Sequence, residues 1–325
     1  MLFSPHFFIN RTDFMDPLTD VLALLQTRSV LSARFEACGT WAMRFSAYRH
    51  VKFGGVLEGT FWLWDDEGSA PIKLDSGDFY LLTRGQAYCT GSTPTLAPID
   101  GRQALVEHLC EDGIVRYGEH GNKVNAVGGR FTFDDNTCHL LLASLPPVIH
   151  VRADTPSSAP LRATLELLRL ETGAPRPGAA VAASGLANLI LVHILRAYLD
   201  TDISLQGWLG ALADTRIGTA LTLMHADVAK PWKVKTLAAA VHMSRTSFSE
   251  RFRALVGVPP LTYLTSWRMM LAQTALRTET RRIAAIAESV GYGSEAAFST
   301  VFKRTMGQSP GQYRSRMRED VVNAD

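Results

Sequence analysis

The stretch SRTSFSERFRALVGVPPLTYL (Ser244–Leu264) is answered fifty residues later by SEAAFSTVFKRTMGQSPGQYR (Ser294–Arg314). Ser244, Phe248, Phe252, Gly257, Pro260 and Tyr263 recur in step as Ser294, Phe298, Phe302, Gly307, Pro310 and Tyr313. Six identities at a single offset make an internal repeat, which sets the architecture before any other signal. Each copy has a physical sense. The serine can cap a helix by accepting from the free N–H groups of its first turn. The two phenylalanines, four residues apart, share one helical face. The glycine ends the helix in a left-handed conformation, and the proline beyond it prevents a restart.

A second apolar helix precedes each copy. Thr236–Val241 (TLAAAV) leads through His242 and Met243 into Ser244, and Ile283–Val290 (IAAIAESV) leads through Gly291, Tyr292 and Gly293 into Ser294. Small residues such as Ala238 and Ala287 let two helices approach closely. A short helix, a tight turn and a capped second helix form a helix-turn-helix, whose second helix is placed to enter a DNA major groove. The run from Leu237 (LAAAVHMSRTSFSERFRALVGVPPLTYL), continued by RIAAIAESVGYGSEAAFSTVFKRTMGQSPGQYR from Arg282, resembles the DNA-binding domain of the AraC/XylS family of transcriptional regulators. The resemblance covers about a hundred residues without a gap and implies two DNA-reading units in one chain.

The charge distribution agrees. The net charge of +2 over 325 residues hides an asymmetry. From Arg216 onward there are 16 Lys+Arg against 8 Asp+Glu, and before it 17 against 23. A basic C-terminal third on a mildly acidic body fits a nucleic-acid binder with a separate second domain. The 46% hydrophobic and 20% charged composition is that of an ordinary globular protein. No run approaches the ~18 apolar residues of a membrane span. A cytoplasmic location is therefore expected, and the opening MLFSPHFFINRTDF lacks the basic start and cleavage site of a signal peptide. Residues 1–15 read as a loose tail, or as sequence upstream of a start at Met15.

Asp16–Gln26 has Leu18, Val21, Leu22 and Leu25 at helical spacing. From Trp41 to about His150 the texture changes to short apolar runs between turns: WAMRFSAY, GGVLEGTFWLW, PIKLDSGDFYLL, RQALVEHLC, GIVRYGEH, RFTF and HLLLASL. Many short strands with regular turns predict an antiparallel sandwich or barrel. Phe53–Trp64 and Ser76–Tyr88 resemble the cupin jelly roll found at the N-terminus of one branch of the same regulator family. Metal-binding cupins place a proline and a histidine where this chain has Thr83 and Tyr88, and cluster histidines where it has only His50 nearby. The scattered His50, His108, His120, His139 and His150 do not supply the converging ligands of a cupin enzyme, so no metal, cofactor or catalytic residue is expected. Cys38, Cys89, Cys110 and Cys138 lack zinc spacing and read as reduced thiols, with a redox pair as the sharper alternative.

After Pro146-Pro147 and a loop at Asp154–Pro160, one helix is expected around Leu161, Leu165 and Leu168. A longer one runs from Ala183 to Leu199, apolar round most of its surface, with His193 as a packed residue. Such a helix must be covered, by its own barrel or by a second subunit, and the resemblance implies a homodimer formed here. The expected architecture is an α+β two-domain chain. The tail is 1–15, the cupin-like antiparallel jelly roll with flanking helices 16–152, a helical dimerisation segment 153–200, and a linker 201–214. An all-α domain with two helix-turn-helix units occupies 215–325 and opens with a helix at Ile217–His225.

The helix from Pro260 to about Arg277 spaces the two units by about 25 Å, suiting successive major grooves ~34 Å apart. By resemblance the base readers are Arg245, Thr246, Ser249 and Glu250 in the first unit, and Glu295, Ala296, Ser299 and Thr300 in the second. Arginine suits guanine, glutamate accepts from cytosine N4, and alanine or the threonine methyl suits the thymine methyl. No outward Asn or Gln pair reads adenine, so DNA shape carries part of the specificity. Lys230, Lys233, Lys235, Arg253, Lys303, Arg304 and Arg314 are the expected phosphate contacts. An effector pocket in the barrel is expected to be lined by Trp62, Trp64, Tyr80 and Tyr88. The function expected is a promoter-binding regulator, not an enzyme. It answers to a small-molecule effector and, from the resemblance, activates transcription with RNA polymerase. A metal-dependent cupin enzyme fused to a DNA-binding module and a cysteine-based redox regulator are the alternatives.

Overall fold

The computed structural model describes residues 16–24, 28–65, 68–132, 145–172, 177–200 and 207–322. The chain divides into two compact units, Gln26–Leu205 and a second made of Met1–Leu25 with Gln206–Asp325.

The first unit is a β-sandwich. Its six-stranded sheet has the order β11-β6-β3-β10-β1-β9, and its five-stranded sheet the order β5-β4-β7-β2-β8. In chain order the strands are β1 (Arg28–Cys38), β2 (Ala42–Phe45), β3 (Val51–Glu58), β4 (Thr60–Asp65), β5 (Ile72–Asp75) and β6 (Phe79–Leu82). They continue with β7 (Tyr88–Gly91), β8 (Ile99–Asp100), β9 (Ile114–Tyr117), β10 (Lys123–Thr132) and β11 (Val148–Val151). Pairing is antiparallel except where β9 runs parallel to β1 and β8 parallel to β2. Both exceptions sit at sheet edges.

Ala37, Val56, Leu82 and Val124 of the larger sheet meet Met43, Phe61, Leu63 and Leu74 of the smaller in one buried core. The larger sheet's other face carries Phe53, Phe79, Leu81, Phe131 and Ile149, all buried. Two helices of the same unit, Ala159–Thr172 and Ala179–Leu199, supply the buried Leu161, Leu165, Leu168, Ala187, Ile190 and Ile194. Gly55 marks the close approach, since a Cβ there would stand 2.9 Å from the Leu165 side chain. By length and composition alone the helix Ala179–Leu199 could cross a membrane, which the absence of a long apolar run in the sequence did not anticipate. Its Ile190, Leu191, Ile194 and Leu195 are nonetheless buried in the protein.

Several expectations need correction. Strand β1 was not foreseen, because its alternation is weak in RSVLSARFEAC. RQALVEHLC, expected as a strand, is largely the helix Gly101–Glu107, started by the Asp100 side chain accepting from the Gln103 N–H. Trp62 and Trp64 do not line the interior. On β4 it is Phe61 and Leu63 that enter the core, so strand alternation turns the two tryptophans to the opposite face. Tyr80 and Tyr88 do pack against the core between the sheets. The expected HLLLASL strand, His139 and Cys138 lie outside the described residues, apart from Leu145.

The helices are α1 (Pro17–Leu24), α2 (Gly101–Glu107), α3 (Ala159–Thr172), α4 (Ala179–Leu199), α5 (Trp208–Ala213), α6 (Thr215–Ala226) and α7 (Val234–Ala240). They continue with α8 (Arg245–Val256), α9 (Pro260–Thr278), α10 (Ile283–Ser289), α11 (Glu295–Met306) and α12 (Pro310–Val322). The second unit contains α5 to α12 and, against the expectation that residue 16 opens the barrel domain, also α1. Part of the expected linker is structural as well, since α5 buries Trp208, Leu209 and Ala211.

A proton chain explains why α1 belongs there. Trp208 Nε1 donates to the Tyr263 hydroxyl at 2.8 Å. That hydroxyl donates to His225 Nε2 at 2.7 Å, and His225 Nδ1 donates to Asp20 Oδ2 at 2.9 Å. The His225 ring also stacks on Trp267, centroids 4.0 Å apart. A neutral imidazole with its proton on Nδ1 meets both neighbours, accepting from the Tyr263 hydroxyl and donating to Asp20. Burial pushes the His225 pKa below its ordinary 6.5, outweighing the upward pull of Asp20. Below pH 6.5 the unfolded chain binds a proton that the native chain resists, so stability is present above that pH and lost as pH falls. The unfolding midpoint of the wild-type chain is expected to fall more steeply between pH 7 and 5 than that of His225→Gln. Parallel curves for the two would contradict the assignment.

Candidate nucleic-acid interface

The two helix-turn-helix units repeat in three dimensions. Ser244 Oγ accepts from the Ser247 N–H at 3.1 Å, and Ser294 Oγ from the Ala297 N–H at 3.2 Å. Both helices end on left-handed glycines, Gly257 at φ 84° and Gly307 at φ 75°. Inside, Phe248 meets Phe252 at 5.7 Å, and Phe252 meets Tyr263 at 5.9 Å. The second unit matches with Phe298 to Phe302 at 5.5 Å and Phe302 to Tyr313 at 5.7 Å. All six rings are buried.

The turns differ by one residue. Met243 N–H donates to Ala238 O and Tyr292 N–H to Ala287 O, both at 2.9 Å. These pairs align the first helices of the units at an offset of 49, so Gly293 is the inserted residue that restores 50 at the second helices. The left-handed turn residue is His242 in one unit and Gly291 in the other. At Gly291 the space is closed, for a Cβ would stand 2.6 Å from Ala229 O and 2.8 Å from an Arg268 nitrogen.

Between the units, α9 has 19 residues and spans about 28 Å. Its Arg268 donates to Val228 O at 2.9 Å and to Lys230 O at 2.8 Å, with its guanidinium 5.9 Å from the Tyr292 ring centre. This side chain ties the loop before the first unit to the turn of the second. Sequence reading missed it, because a single arginine on a long helix carries no periodic signal.

Arg245, Thr246 and Glu250, like Glu295, Ala296 and Thr300, are exposed, while Ser249 and Ser299 are half-buried. Ser249 donates back to Arg245 O at 2.9 Å and Thr300 to Ala296 O at 3.0 Å. Both hydroxyls are thus engaged by their own helices, and each must accept or turn to meet a base. Arg245 and Glu295 stand at the helix starts with the longest reach. Lys230, Lys233, Lys235, Arg253, Lys303 and Arg304 are exposed, Lys230 Nζ lying 4.1 Å from the Trp232 ring centre. Arg314 differs from the expected surface cation. It is half-buried, and its Nε and one terminal nitrogen have no hydrogen-bond partner among the described residues.

Arg251 on α8 was not anticipated as a structural residue. Its Nε donates to Asp214 Oδ2 at 2.8 Å, while the other Asp214 oxygen accepts from the Arg216 and Ile217 N–H groups and caps α6. Burial raises the Asp214 pKa, but the Arg251 and backbone bonds outweigh it and hold the carboxyl below its ordinary value. One ion pair thereby fixes the first recognition helix to α6.

Among the described residues of the sandwich, the histidines considered as ligands stand apart. His108 Nδ1 bonds Ala104 O, His150 Nε2 bonds Asp78, His120 is exposed and His50 packs on Tyr48. Cys38 is half-buried in β1, Cys89 is buried in β7 and Cys110 is half-buried.

A cupin family model matches residues 16–200, and a helix-turn-helix domain model matches residues 237–316. The chain is 46% identical over 301 residues to an AraC-like transcription regulator of Streptomyces lividans, covering 92% of this chain and 98% of that one. It is 32% identical over 286 residues to the HTH-type transcriptional regulator AlkR of Acinetobacter baylyi, covering 86% and 92%. Among solved structures it is similar to the DNA-binding domain of AdpA in complex with a target DNA. That match has 33% identity and TM-score 0.31, over 31% of this chain and 92% of the other.

Proposed function

The chain belongs to the AraC family of transcription regulators, and we propose that it reads promoter DNA with both helix-turn-helix units while its cupin domain answers to a small-molecule effector. The observation that carries the reading is the duplicated capped helix, with each exposed face turned away from its own trio of buried rings. Arg245, Thr246, Ser249 and Glu250 read one box, and Glu295, Ala296, Ser299 and Thr300 the other. Lys230, Lys233, Lys235, Arg253, Lys303 and Arg304 hold phosphate. The chain acts where the genome is, in the cytoplasm. Activation, through contact with RNA polymerase, is the direction the family resemblance favours.

The chain works as a homodimer in this reading. Leu167 and Leu170 of α3 are 51% and 45% exposed, and Val181 and Leu189 of α4 are 78% and 42% exposed. Apolar side chains on two adjoining helices of one unit support pairing there.

The test is selection of genomic fragments by the purified full-length chain at two salt concentrations. Two short boxes about one helical turn apart are the expected result, and fragments sharing no sequence would overturn the reading. Arg245→Ala is expected to weaken binding about 10- to 100-fold and to relax base preference in one box only. Equal loss on every sequence would make Arg245 a phosphate contact instead.

A further inference from the structure

At one end of the sandwich, where β2, β6 and β10 finish and β3 and β7 begin, Lys52 enters a group of aromatic rings. Its Nζ lies 4.2 Å from the Tyr48 ring centre, 4.6 Å from Tyr88 and 5.0 Å from Phe45. It donates to the Tyr88 hydroxyl at 3.1 Å. Phe45 stacks on Tyr88 at 4.9 Å, and His50 packs on Tyr48 at 4.8 Å. Arg130 is the cross-strand partner of Lys52. Three basic side chains therefore share one end of the fold, and among the described residues no ion pair joins any of them to a carboxylate.

The electrostatics follow from that placement. Burial, with the Arg130 charge adding to it, pushes the Lys52 ammonium down to about 8. Burial and then the charges of Lys52 and Arg130 push the His50 imidazole below its ordinary value. Tyr80 stands against Gly54, where a Cβ would come 2.4 Å from the phenol ring. Burial pushes Tyr80 up to about 12 and Tyr88 well above its ordinary value. Both rings are nevertheless only partly buried by accessible surface. Part of the Tyr80 and Tyr88 surface therefore stays open to solvent at this end of the sandwich.

We propose that this aromatic cage around Lys52 is the effector site and that it takes a small organic anion, a carboxylate carried on an apolar or aromatic body, with Lys52 as its charge partner. The proposal rests on the reading of the cupin domain as an effector domain and gives that effector a chemical class. Ring faces hold an ammonium in place but bind it more weakly than a carboxylate does. The cage thus presents Nζ to an incoming anion, which would also offset the repulsion between Lys52 and Arg130. The rings of Phe45, Tyr48 and Tyr88 would pack on the apolar body. A neutral molecule of the same shape would gain the packing alone.

Titration calorimetry on the full-length chain, with benzoate and octanoate set against benzyl alcohol and octan-1-ol, tests this. At least one acid is expected to bind at least tenfold more tightly than its alcohol. Lys52→Met should remove that preference and Lys52→Arg should keep it, with both variants unfolding at the wild-type midpoint. Because the acid-to-alcohol ratio is measured on the wild-type chain, a misfolded variant cannot hide a negative result. Equal binding of acid and alcohol, no binding of either acid, or an unchanged preference in Lys52→Met would overturn the anion site. A cell extract that alters DNA binding of wild type and Lys52→Met alike would overturn it too, while leaving the effector reading intact. Carboxylate binding that needs Lys52 but leaves DNA binding unmoved would support the anion site and remove the regulatory reading.

Discussion

Phe302→Ala is expected to destabilise the C-terminal unit by ~3–5 kcal/mol, because it empties the centre of a closed aromatic cluster. Phe302 is fully buried between Phe298 and Tyr313, in a core that also holds Met269, Ile286, Ala287 and Val290. These neighbours come from α9, α10, α11 and α12, so no single helix can move in to fill the space. Phe252→Ala, its counterpart in the first unit, should cost a similar amount for the same reason. Amide hydrogen exchange across α9–α12 of the full-length chain reads the effect directly. Protection within a factor of about five of wild type, near 1 kcal/mol, would contradict this account of the core.

Gly291→Ala is expected to be far more damaging than Gly307→Ala, although both glycines have positive φ. At Gly307 nothing lies within 4 Å of a new Cβ, so the cost is the left-handed backbone alone, about 1–2 kcal/mol. At Gly291 the same strain is joined by contacts of 2.6 Å to Ala229 O and 2.8 Å to Arg268. Arg268 cannot simply swing away, because its guanidinium holds Val228 O and Lys230 O. Relief must come from backbone movement that loosens the tie between the two units. Unfolding of the two variants should differ by at least ~2 kcal/mol, and Gly291→Ala should also weaken DNA binding by disturbing the spacing of the recognition helices. Equal midpoints would mean that the Gly291 turn is more yielding than its contacts imply.

The C-terminal unit was legible in the sequence because its signals are local. Ser244 caps a helix within three residues, Gly257 ends it, and Phe248 and Phe252 declare their face by their spacing alone. The duplication then fixed the pattern twice. The sandwich was legible only as a class. RQALVEHLC has the apolar content of a strand, and the Asp100 cap at its start is the local signal that marks it as a helix. Strand β1 is built by pairing with β10 and β9 rather than by its own alternation. Trp62 and Trp64 are read inward by alternation, but alternation offers two sets, and the packing of Phe61 and Leu63 across the sandwich decides which one faces the core.

By itself, then, the sequence determined the repeated helix-turn-helix, the candidate base-reading faces and the basic charge of the DNA-binding third. Only the tertiary structure decided that α1 joins that unit through Asp20 and His225, and that Arg251 is bound to Asp214 rather than free on its helix. It alone placed Lys52, His50 and Arg130 at one end of the sandwich. Caps, turns and helical faces depend on residues a few positions apart, whereas pairing partners and buried charges depend on residues brought together from distant parts of the chain.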